Sequence, residues 1–234
     1  MSDFIAHKKK GAEMAKQSGG DKITRYIVIG MVLFVVAVGL VFSLMGNKTS
    51  NGAVPSSVSK SEGYGIVFNG DLAGVPKVDV WEDLQCPVCK QFEATNGDYI
   101  KRIITEKKAK VIFHILSFIG PESILAANAV ACAADEEKFV QFHSYLYKNQ
   151  GKENTGAWSN AGLIQAGAAA GISSGKFKSC VNSGTYTSWV GDVANDGATK
   201  NINSTPTIFV NGKAIDRNTQ YFDAAGFQAA VEGK

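Results

Sequence analysis

The sequence contains few of the residues that build metal centres. Only four of its 234 residues are cysteines and three are histidines, and no histidine belongs to a ligand pair. Cys86 and Cys89 have the spacing of half a structural zinc site, whereas Cys132 and Cys180 are isolated and supply no second half. We therefore expect no metal site in this protein.

Residues 62–234 also lack a cluster of basic residues. Residues 1–61 hold eight of the 24 Lys and Arg and three of the 21 Asp and Glu, so residues 62–234 hold 16 basic and 18 acidic residues. A net charge of −2 without a basic patch is not the composition of a nucleic-acid-binding surface. We expect no nucleic-acid partner.

Residues 26–45, YIVIGMVLFVVAVGLVFSLM, contain no charged residue. As a helix, this run would span about 30 Å, the thickness of a hydrocarbon core. A buried core helix seldom runs so long without a polar face. A cleaved signal peptide has a shorter apolar region that ends near a small-residue cleavage site, which the following residues do not offer. We therefore predict one uncleaved transmembrane anchor.

The orientation of this anchor follows from the charges beside it. All six basic residues of the segment 1–25 precede the apolar run. Because positive residues stay on the cytoplasmic side, we predict a cytoplasmic basic tail over residues 1–25 and an extracytoplasmic location for everything after residue 45. The predicted protein is a single-pass protein of the cell membrane.

Residues 46–61 have no large apolar residue except Val54 and Val58. The segment, GNKTSNGAVPSSVSKS, is rich in Ser, Gly and Asn, and such a composition cannot bury enough surface to order itself. We predict a flexible linker over 46–61, followed by one folded domain over 62–234.

The domain predicted over 62–234 alternates strand and helix patterns. Short β-branched runs at 65–69 and 77–83 precede a helical pattern that begins at Pro87, in which Asn96-Gly97 suggests an interruption. The apolar run 110–118 is typical of a parallel strand covered on both faces. Helical patterns then fill the region up to residue 202, and strands return with an Asn-Gly turn at 211–212 before a last helix. These patterns predict a small α/β sheet with a helical insertion over about 119–203.

The motif Cys86-Pro87-Val88-Cys89 lies at the predicted junction of a strand and a helix. A loop this short stabilises a fold very little, which argues against a purely structural disulfide between the two cysteines. At a helix start, free backbone N–H groups stabilise the thiolate of Cys86 and lower its pKa, and Cys89 lies one turn later, in position to resolve a mixed disulfide. The motif therefore indicates a redox centre with Cys86 and Cys89 as the catalytic pair.

Four segments together resemble one family. They are CPVC at 86–89, FVQFHSYLYKNQ at 139–150, FKSCVNSGTYTSWV at 177–190 and STPTIFVNG at 204–212. They are similar to the DsbA-like branch of the thioredoxin superfamily, particularly its membrane-anchored bacterial members. The resemblance spans about 62–234 and implies a thioredoxin-like α/β fold with an inserted helical domain, here preceded by one N-terminal transmembrane helix.

The resemblance also implies roles for individual residues. In this family the proline at the position of Pro206 is cis and lies against the active disulfide, and the residue before it, here Thr205, lines the substrate groove. Strong oxidants of the family have a histidine at the position of Val88. Because valine adds no charge or hydrogen bond to Cys86, we expect a less extreme reduction potential here.

The function that this resemblance implies is an extracytoplasmic thiol–disulfide oxidoreductase. Cys86–Cys89 would introduce disulfides into secreted or cell-envelope proteins with free cysteines, and thiol exchange needs no cofactor. In the family a quinone-linked membrane partner, resembling DsbB or a vitamin K epoxide reductase homologue, reoxidises the pair. Two alternatives remain: a reductase or isomerase with the same fold, and a non-catalytic chaperone or binding ectodomain.

Cys132 and Cys180 are either buried inert thiols or a second disulfide. The even number of cysteines and the predicted extracytoplasmic location favour a structural disulfide between them, and some family members carry such a pair.

Four other polar or aromatic residues have possible roles. Glu82 and Asp83 could relay a proton to Cys89, or could be solvated charges at a strand end. His143 is expected to pack in the core, and Trp81 to pack under the active-site loop.

Overall fold

The computed structural model describes residues 52–234. The predicted cytoplasmic tail over 1–25, the predicted anchor over 26–45 and the first part of the predicted linker lie outside the described residues. Within 52–234, no helix has both the length and the apolar character that crossing a bilayer requires.

In the described part of the chain, one six-stranded sheet forms the centre of the domain. Its strand order is β1-β2-β4-β3-β5-β6, with β3 and β4 parallel and the other neighbouring pairs antiparallel. Both β3 and β4 are buried over almost their whole length, as expected for strands covered on both faces. The strands are β1 (Val58–Ser59), β2 (Gly65–Phe68), β3 (Lys77–Asp83), β4 (Lys110–Leu116), β5 (Thr207–Val210) and β6 (Lys213–Ala214).

The α-helices of residues 52–234 divide into two that accompany the sheet and five that form an insertion. Helix α1 connects the parallel strands β3 and β4, as a parallel pair requires, and the last helix follows β6. The other five helices lie in sequence between β4 and β5, so the predicted α/β sheet with a helical insertion is confirmed. The helices are α1 (Pro87–Thr105), α2 (Pro121–Ala134), α3 (Phe139–Lys148), α4 (Asn160–Ala169), α5 (Gly175–Ser183), α6 (Thr187–Thr199) and α7 (Ala224–Glu232).

The expected interruption of α1 at Asn96-Gly97 is wrong. Helix α1 continues through both residues. The Asn96 side chain is fully buried, and its amide donates hydrogen bonds to the carbonyl oxygens of Tyr221 at 2.7 Å and Phe92 at 3.2 Å. Asn96 therefore joins α1 to the segment before α7, a long-range contact that a local turn pattern does not reveal.

Residues 52–61 do not behave as the flexible linker that we predicted there. Val58 pairs with Ile66 across β1 and β2, and Val54 and Val58 pack against the core. The backbone N–H of Ser56 also donates to a carboxylate oxygen of Asp135 at 2.9 Å. Two valines and one sheet edge are thus enough to dock this polar segment, so the folded domain begins before residue 62.

A disulfide connects two helices of the insertion. Cys132 of α2 and Cys180 of α5 are bonded, and they are 48 residues apart in sequence. Cys132 is buried in the core, whereas Cys180 lies at its edge. The bond therefore ties α5 to α2, the helix of the insertion that is most completely buried.

We expect replacement of both bonded cysteines by alanine to lower the free energy of unfolding by about 4 kcal/mol, because the open chain regains the entropy of a loop of this length. Urea unfolding followed by tryptophan fluorescence measures the change. Wild-type protein treated with a thiol reductant serves as the control and should unfold with the stability of the double variant. A loss below about 1 kcal/mol would contradict a stabilising role for the bond.

Candidate active site

Cys86 caps the N-terminus of α1. Strand β3 ends at Asp83, and the chain turns so that the Cys86 sulfur accepts a hydrogen bond from the backbone N–H of Cys89 at 3.4 Å. Pro87 occupies the first helical position, where its missing N–H has no partner to lose. Cys86 retains 6% of its accessible surface and Cys89 none, so a partner molecule can reach only the first sulfur.

The surroundings of Cys86 favour its thiolate. A hydrogen bond from the Cys89 thiol has the largest effect, and burial opposes it by favouring the neutral form. The Thr205 side chain and the backbone N–H groups of Cys89 and Val88 stabilise the anion further. Together they lower the pKa of Cys86 from 9.0 to about 6. The predicted backbone contribution is present, but the neighbouring thiol contributes more.

Cys89 has the opposite environment. Burial raises the pKa of its thiol, and the hydrogen bond to Cys86, the Cys86 charge and the Glu82 charge raise it further. At neutral pH the pair is therefore one thiolate and one protonated thiol. This arrangement suits exchange in which Cys86 reacts with an outside sulfur and Cys89 reacts with Cys86.

Thr205 and Pro206 lie beside Cys86. The bond between them is cis, and the Thr205 carbonyl oxygen is 3.6 Å from the Cys86 sulfur. Arg217, which the sequence analysis did not single out, donates to the carbonyl oxygens of Pro206 at 3.1 Å and Thr205 at 3.4 Å. Around the same point Pro87 is exposed and Val88 is partly buried. The structure thus brings five of the predicted site residues together, Cys86, Pro87, Val88, Thr205 and Pro206, while Cys89 lies buried behind them.

The helical insertion holds the active-site loop by side-chain hydrogen bonds. The Gln150 amide donates to the carbonyl oxygens of Leu84 at 2.9 Å and Cys86 at 3.1 Å, and the Tyr147 hydroxyl donates to that of Asp83 at 3.1 Å. Both residues lie at the end of α3 or just after it, more than 60 residues from the loop. No local pattern links such distant residues, and sequence reasoning missed both.

Asp83 is a buried structural carboxylate. It accepts hydrogen bonds from the Gln85 N–H at 2.8 Å, the Ser123 hydroxyl at 2.7 Å and the Ile119 N–H at 3.1 Å. Burial raises the pKa of Asp83, although these bonds oppose the increase. The alternative that Asp83 is a solvated charge at a strand end is therefore wrong. Its carboxylate oxygens accept hydrogen bonds that connect β3 to the start of the insertion.

Glu82 is also fully buried and contacts His143 of α3. The Nε2 atom of His143 lies 2.5 Å from a carboxylate oxygen of Glu82, and its Nδ1 atom lies 3.7 Å from Glu93 of α1. Glu82 is therefore not a solvated charge either, and His143 contacts two carboxylates rather than only packing in the core. Trp81, on the other hand, stacks on His114 at 3.8 Å between ring centroids.

We expect the reaction of Cys86 with iodoacetamide to be half-maximal near pH 6, because only the thiolate reacts. Below that pH the rate should fall about tenfold per unit, and above pH 7 it should be nearly constant. Rates measured by mass spectrometry of the reduced protein test this. Cys86→Ser should remove the fast phase, since Cys89 is buried. A midpoint near pH 8.5 or above would exclude an activated thiolate.

Comparisons with known proteins point to one family. Residues 62–232 match the family model described as Thioredoxin. Disulfide bond formation protein D of Bacillus subtilis is 30% identical over 180 residues, which are 75% of this chain and 80% of that protein. Thiol:disulfide interchange protein DsbA of Salmonella typhimurium is 27% identical over 194 residues, 81% of this chain and 91% of that protein.

Solved structures show the same similarity. BdbD from Bacillus subtilis in its oxidised form matches with a TM-score of 0.63 and 26% identity, covering 78% of this chain and 98% of that one. For the fold alone, MdbA, a thiol-disulfide oxidoreductase from Actinomyces oris, matches with a TM-score of 0.69 at 24% identity, covering 80% of this chain and 95% of that one. The predicted thioredoxin-like fold is confirmed. The chain belongs to the thioredoxin family and is a DsbA-type protein thiol–disulfide oxidoreductase.

Proposed function

We propose that this enzyme introduces disulfides into secreted or cell-envelope proteins by exchange through Cys86 and Cys89. One feature carries the proposal: the Cys86 sulfur caps the start of α1 and accepts a hydrogen bond from the Cys89 N–H at 3.4 Å, in surroundings that lower its pKa to about 6, whereas burial raises the pKa of Cys89. A stabilised Cys86 thiolate favours the reduced dithiol over the disulfide, so the disulfide is disposed to oxidise other thiols. No cofactor takes part in this exchange.

The proposed reaction has two exchange steps. A substrate thiolate attacks the Cys86 sulfur of the enzyme disulfide, a substrate–Cys86 bond forms, and Cys89 leaves. A second substrate thiolate then attacks the substrate sulfur of that mixed disulfide, the new substrate disulfide forms, and Cys86 leaves as a thiolate. The low pKa of Cys86 makes it a good leaving group in this second step.

We assign substrate binding to the surface around Thr205 and Pro206. The Thr205 carbonyl lies 3.6 Å from the Cys86 sulfur, so a chain segment whose cysteine reaches Cys86 comes close to this edge. The Arg217 guanidinium donates hydrogen bonds to the carbonyl groups of both residues. Backbone contacts of this kind accept many sequences, which suits an enzyme whose substrates share only accessible cysteines.

We further propose that the catalytic domain lies outside the cytoplasm, on the anchor formed by residues 26–45. The uncharged 20-residue run and the basic residues before it support this topology. The Cys132–Cys180 disulfide supports it independently, because structural disulfides persist in oxidising compartments. A quinone-linked membrane protein, similar to DsbB or to vitamin K epoxide reductase homologues, would then reoxidise Cys86 and Cys89.

The second candidate function is the reverse reaction, in which the enzyme is kept reduced and acts as a reductase or isomerase. Val88 favours this candidate, because a valine cannot stabilise the Cys86 thiolate as a histidine does. A non-catalytic chaperone has less support, since both cysteines and the Thr205-Pro206 pair are present.

Replacing Cys86 by serine should abolish oxidative refolding of a reduced, disulfide-containing test protein, because the attacked sulfur is gone. Recovery of the test protein's activity measures refolding. The Cys132→Ala/Cys180→Ala variant is the matched control, since it also loses cysteines but keeps the CPVC motif, and it should retain activity. Full activity of Cys86→Ser would refute the assignment.

Labelling of cells with a membrane-impermeant maleimide distinguishes the resting states and the topology. For an extracytoplasmic oxidase, Cys86 should be labelled only after treatment with an impermeant phosphine reductant, because the enzyme rests as the disulfide. The Cys86→Ser/Cys89→Ser variant controls for the other cysteines. Labelling without reductant would indicate the reductase, and no labelling even after reduction would contradict the extracytoplasmic location.

A further inference from the structure

Arg217 lies beside the active site and has no ion-pair partner in the described part of the chain. It belongs to the segment between β6 and α7, and its guanidinium reaches the carbonyl oxygens of Thr205 and Pro206. Within residues 52–234, no carboxylate lies within ion-pair distance of Arg217. The exchange steps described above do not use this positive charge.

Neighbouring groups fix the position of the Arg217 guanidinium. Its Nη1 atom donates to Pro206 at 3.1 Å, its Nη2 atom donates to Thr205 at 3.4 Å, and its Cζ atom lies 5.6 Å from the centre of the Tyr221 ring. Tyr221 is itself buried, and its hydroxyl oxygen accepts a hydrogen bond from the Ile208 N–H at 2.8 Å. Arg217 therefore has less rotamer freedom to lose on binding a partner than a free surface arginine has.

The backbone that carries Arg217 is also held in place. The Oδ1 atom of Asp216 accepts hydrogen bonds from the Asn218 N–H and the Thr219 N–H, both at 2.8 Å. The Asp216 N–H donates to the side-chain oxygen of Gln220 at 2.7 Å. These bonds close the turn in which Arg217 lies, so the side chain extends from an ordered backbone.

The guanidinium retains donors for a ligand. The carbonyl oxygens of Thr205 and Pro206 use two of its five N–H groups, and Arg217 is exposed. A planar guanidinium can bind a carboxylate through two parallel N–H···O bonds, and such charge-assisted bonds are roughly twice as strong as neutral ones. A carboxylate on a partner molecule would therefore use the free donors and neutralise the unpaired charge.

The distance from Cys86 indicates where such a carboxylate lies on a substrate. The Thr205 carbonyl oxygen is 3.6 Å from the Cys86 sulfur and 3.4 Å from Nη2 of Arg217, so the sulfur and Nη2 are at most about 7 Å apart. In an extended chain, side chains two residues apart point to the same face and are about 7 Å apart. An extended segment whose cysteine bonds to Cys86 can therefore present a carboxylate two residues away to Arg217.

We propose that Arg217 is a specificity residue that binds the carboxylate of an aspartate or glutamate two residues from the reactive cysteine of a substrate. The inference rests on the proposed thiol exchange with protein substrates. Backbone contacts with Thr205 and Pro206 admit many sequences, and Arg217 adds a preference among them. Acidic segments are favoured, and a lysine at the same position is disfavoured by repulsion.

The test uses the oxidised full-length enzyme and short reduced peptides with two cysteines. One peptide has glutamate two residues before and after each cysteine, the second has glutamine at those positions, and the third has glutamate directly beside each cysteine. Acid quench and mass spectrometry give the second-order rate constant for reduction of the Cys86–Cys89 disulfide. The same peptides also react with hydroxyethyl disulfide, an uncharged reference that measures the intrinsic reactivity of each peptide.

We expect the ratio of the glutamate to the glutamine rate constant to be about fivefold higher with the enzyme than with the reference at low salt. This advantage should fall below about twofold in about 1 M salt, because salt screens an exposed ion pair. It should disappear in Arg217→Gln, since any change in the loop slows both peptides alike and cancels from the ratio. Lys213→Gln on β6, which also removes one exposed positive charge, is the matched control and should keep the advantage.

An enzyme ratio equal to the reference ratio would overturn the inference, and so would an advantage that persists in Arg217→Gln. An equal loss in Lys213→Gln, or an equal advantage for glutamate directly beside the cysteines, would overturn it as well, because a diffuse charge effect would then explain the preference. The comparison with the reference disulfide needs no variant, so it decides even if Arg217→Gln does not fold. Failure of the wild-type enzyme to oxidise any of the peptides would instead overturn the proposed function itself.

Discussion

The hydrogen bonds received by the Cys86 sulfur are the interactions on which this active site depends. The Cys89 thiol and two backbone N–H groups stabilise a thiolate at the first turn of α1. The same contact makes the two cysteines unequal, because Cys89 can stabilise its neighbour only while it keeps its own proton. Burial of Cys89 maintains that proton. One sulfur is thus an accessible nucleophile and the other an internal reagent, and this difference is what a thiol-exchange enzyme needs.

The fold produces this difference through three separate elements. The parallel pair β3 and β4 requires a crossover helix, and α1 therefore starts at the end of β3 with its free N–H groups directed at the loop. Strand β5 pairs with β3 and brings the Thr205 carbonyl to 3.6 Å from Cys86. The insertion supplies Tyr147 and Gln150, which hold the loop by its carbonyl groups.

The parts of this site that the sequence predicts are those with local signals. The position of Cys86 at a helix start can be predicted from three signals: a strand pattern before it, a proline at the first helical position, and two residues between the cysteines. All three signals lie close together in the sequence. The Glu82–His143 contact joins residues 61 apart, and Asn96 reaches a carbonyl 125 residues away. Such pairs depend on how elements that are distant in sequence pack together, which neither periodicity nor turn chemistry specifies. The docking of residues 52–61 was missed for a related reason, because two valines suffice when a sheet edge is already present.

The pKa of Cys86 also bears on how strongly oxidising this enzyme is. Lowering a thiol pKa from 9.0 to about 6 stabilises the reduced form at pH 7 by roughly 1–2 kcal/mol, or about 30 mV for a two-electron couple. Val88 adds only its backbone N–H to this effect, so the stabilisation comes from Cys89, Thr205 and the helix start. This stabilisation of the reduced form favours oxidation of substrates, but the change in reduction potential is modest. Under the proposed function, net flow in the cell would depend on the reoxidising partner as much as on the enzyme, because a shift of this size is easily offset by the redox state that such a partner maintains.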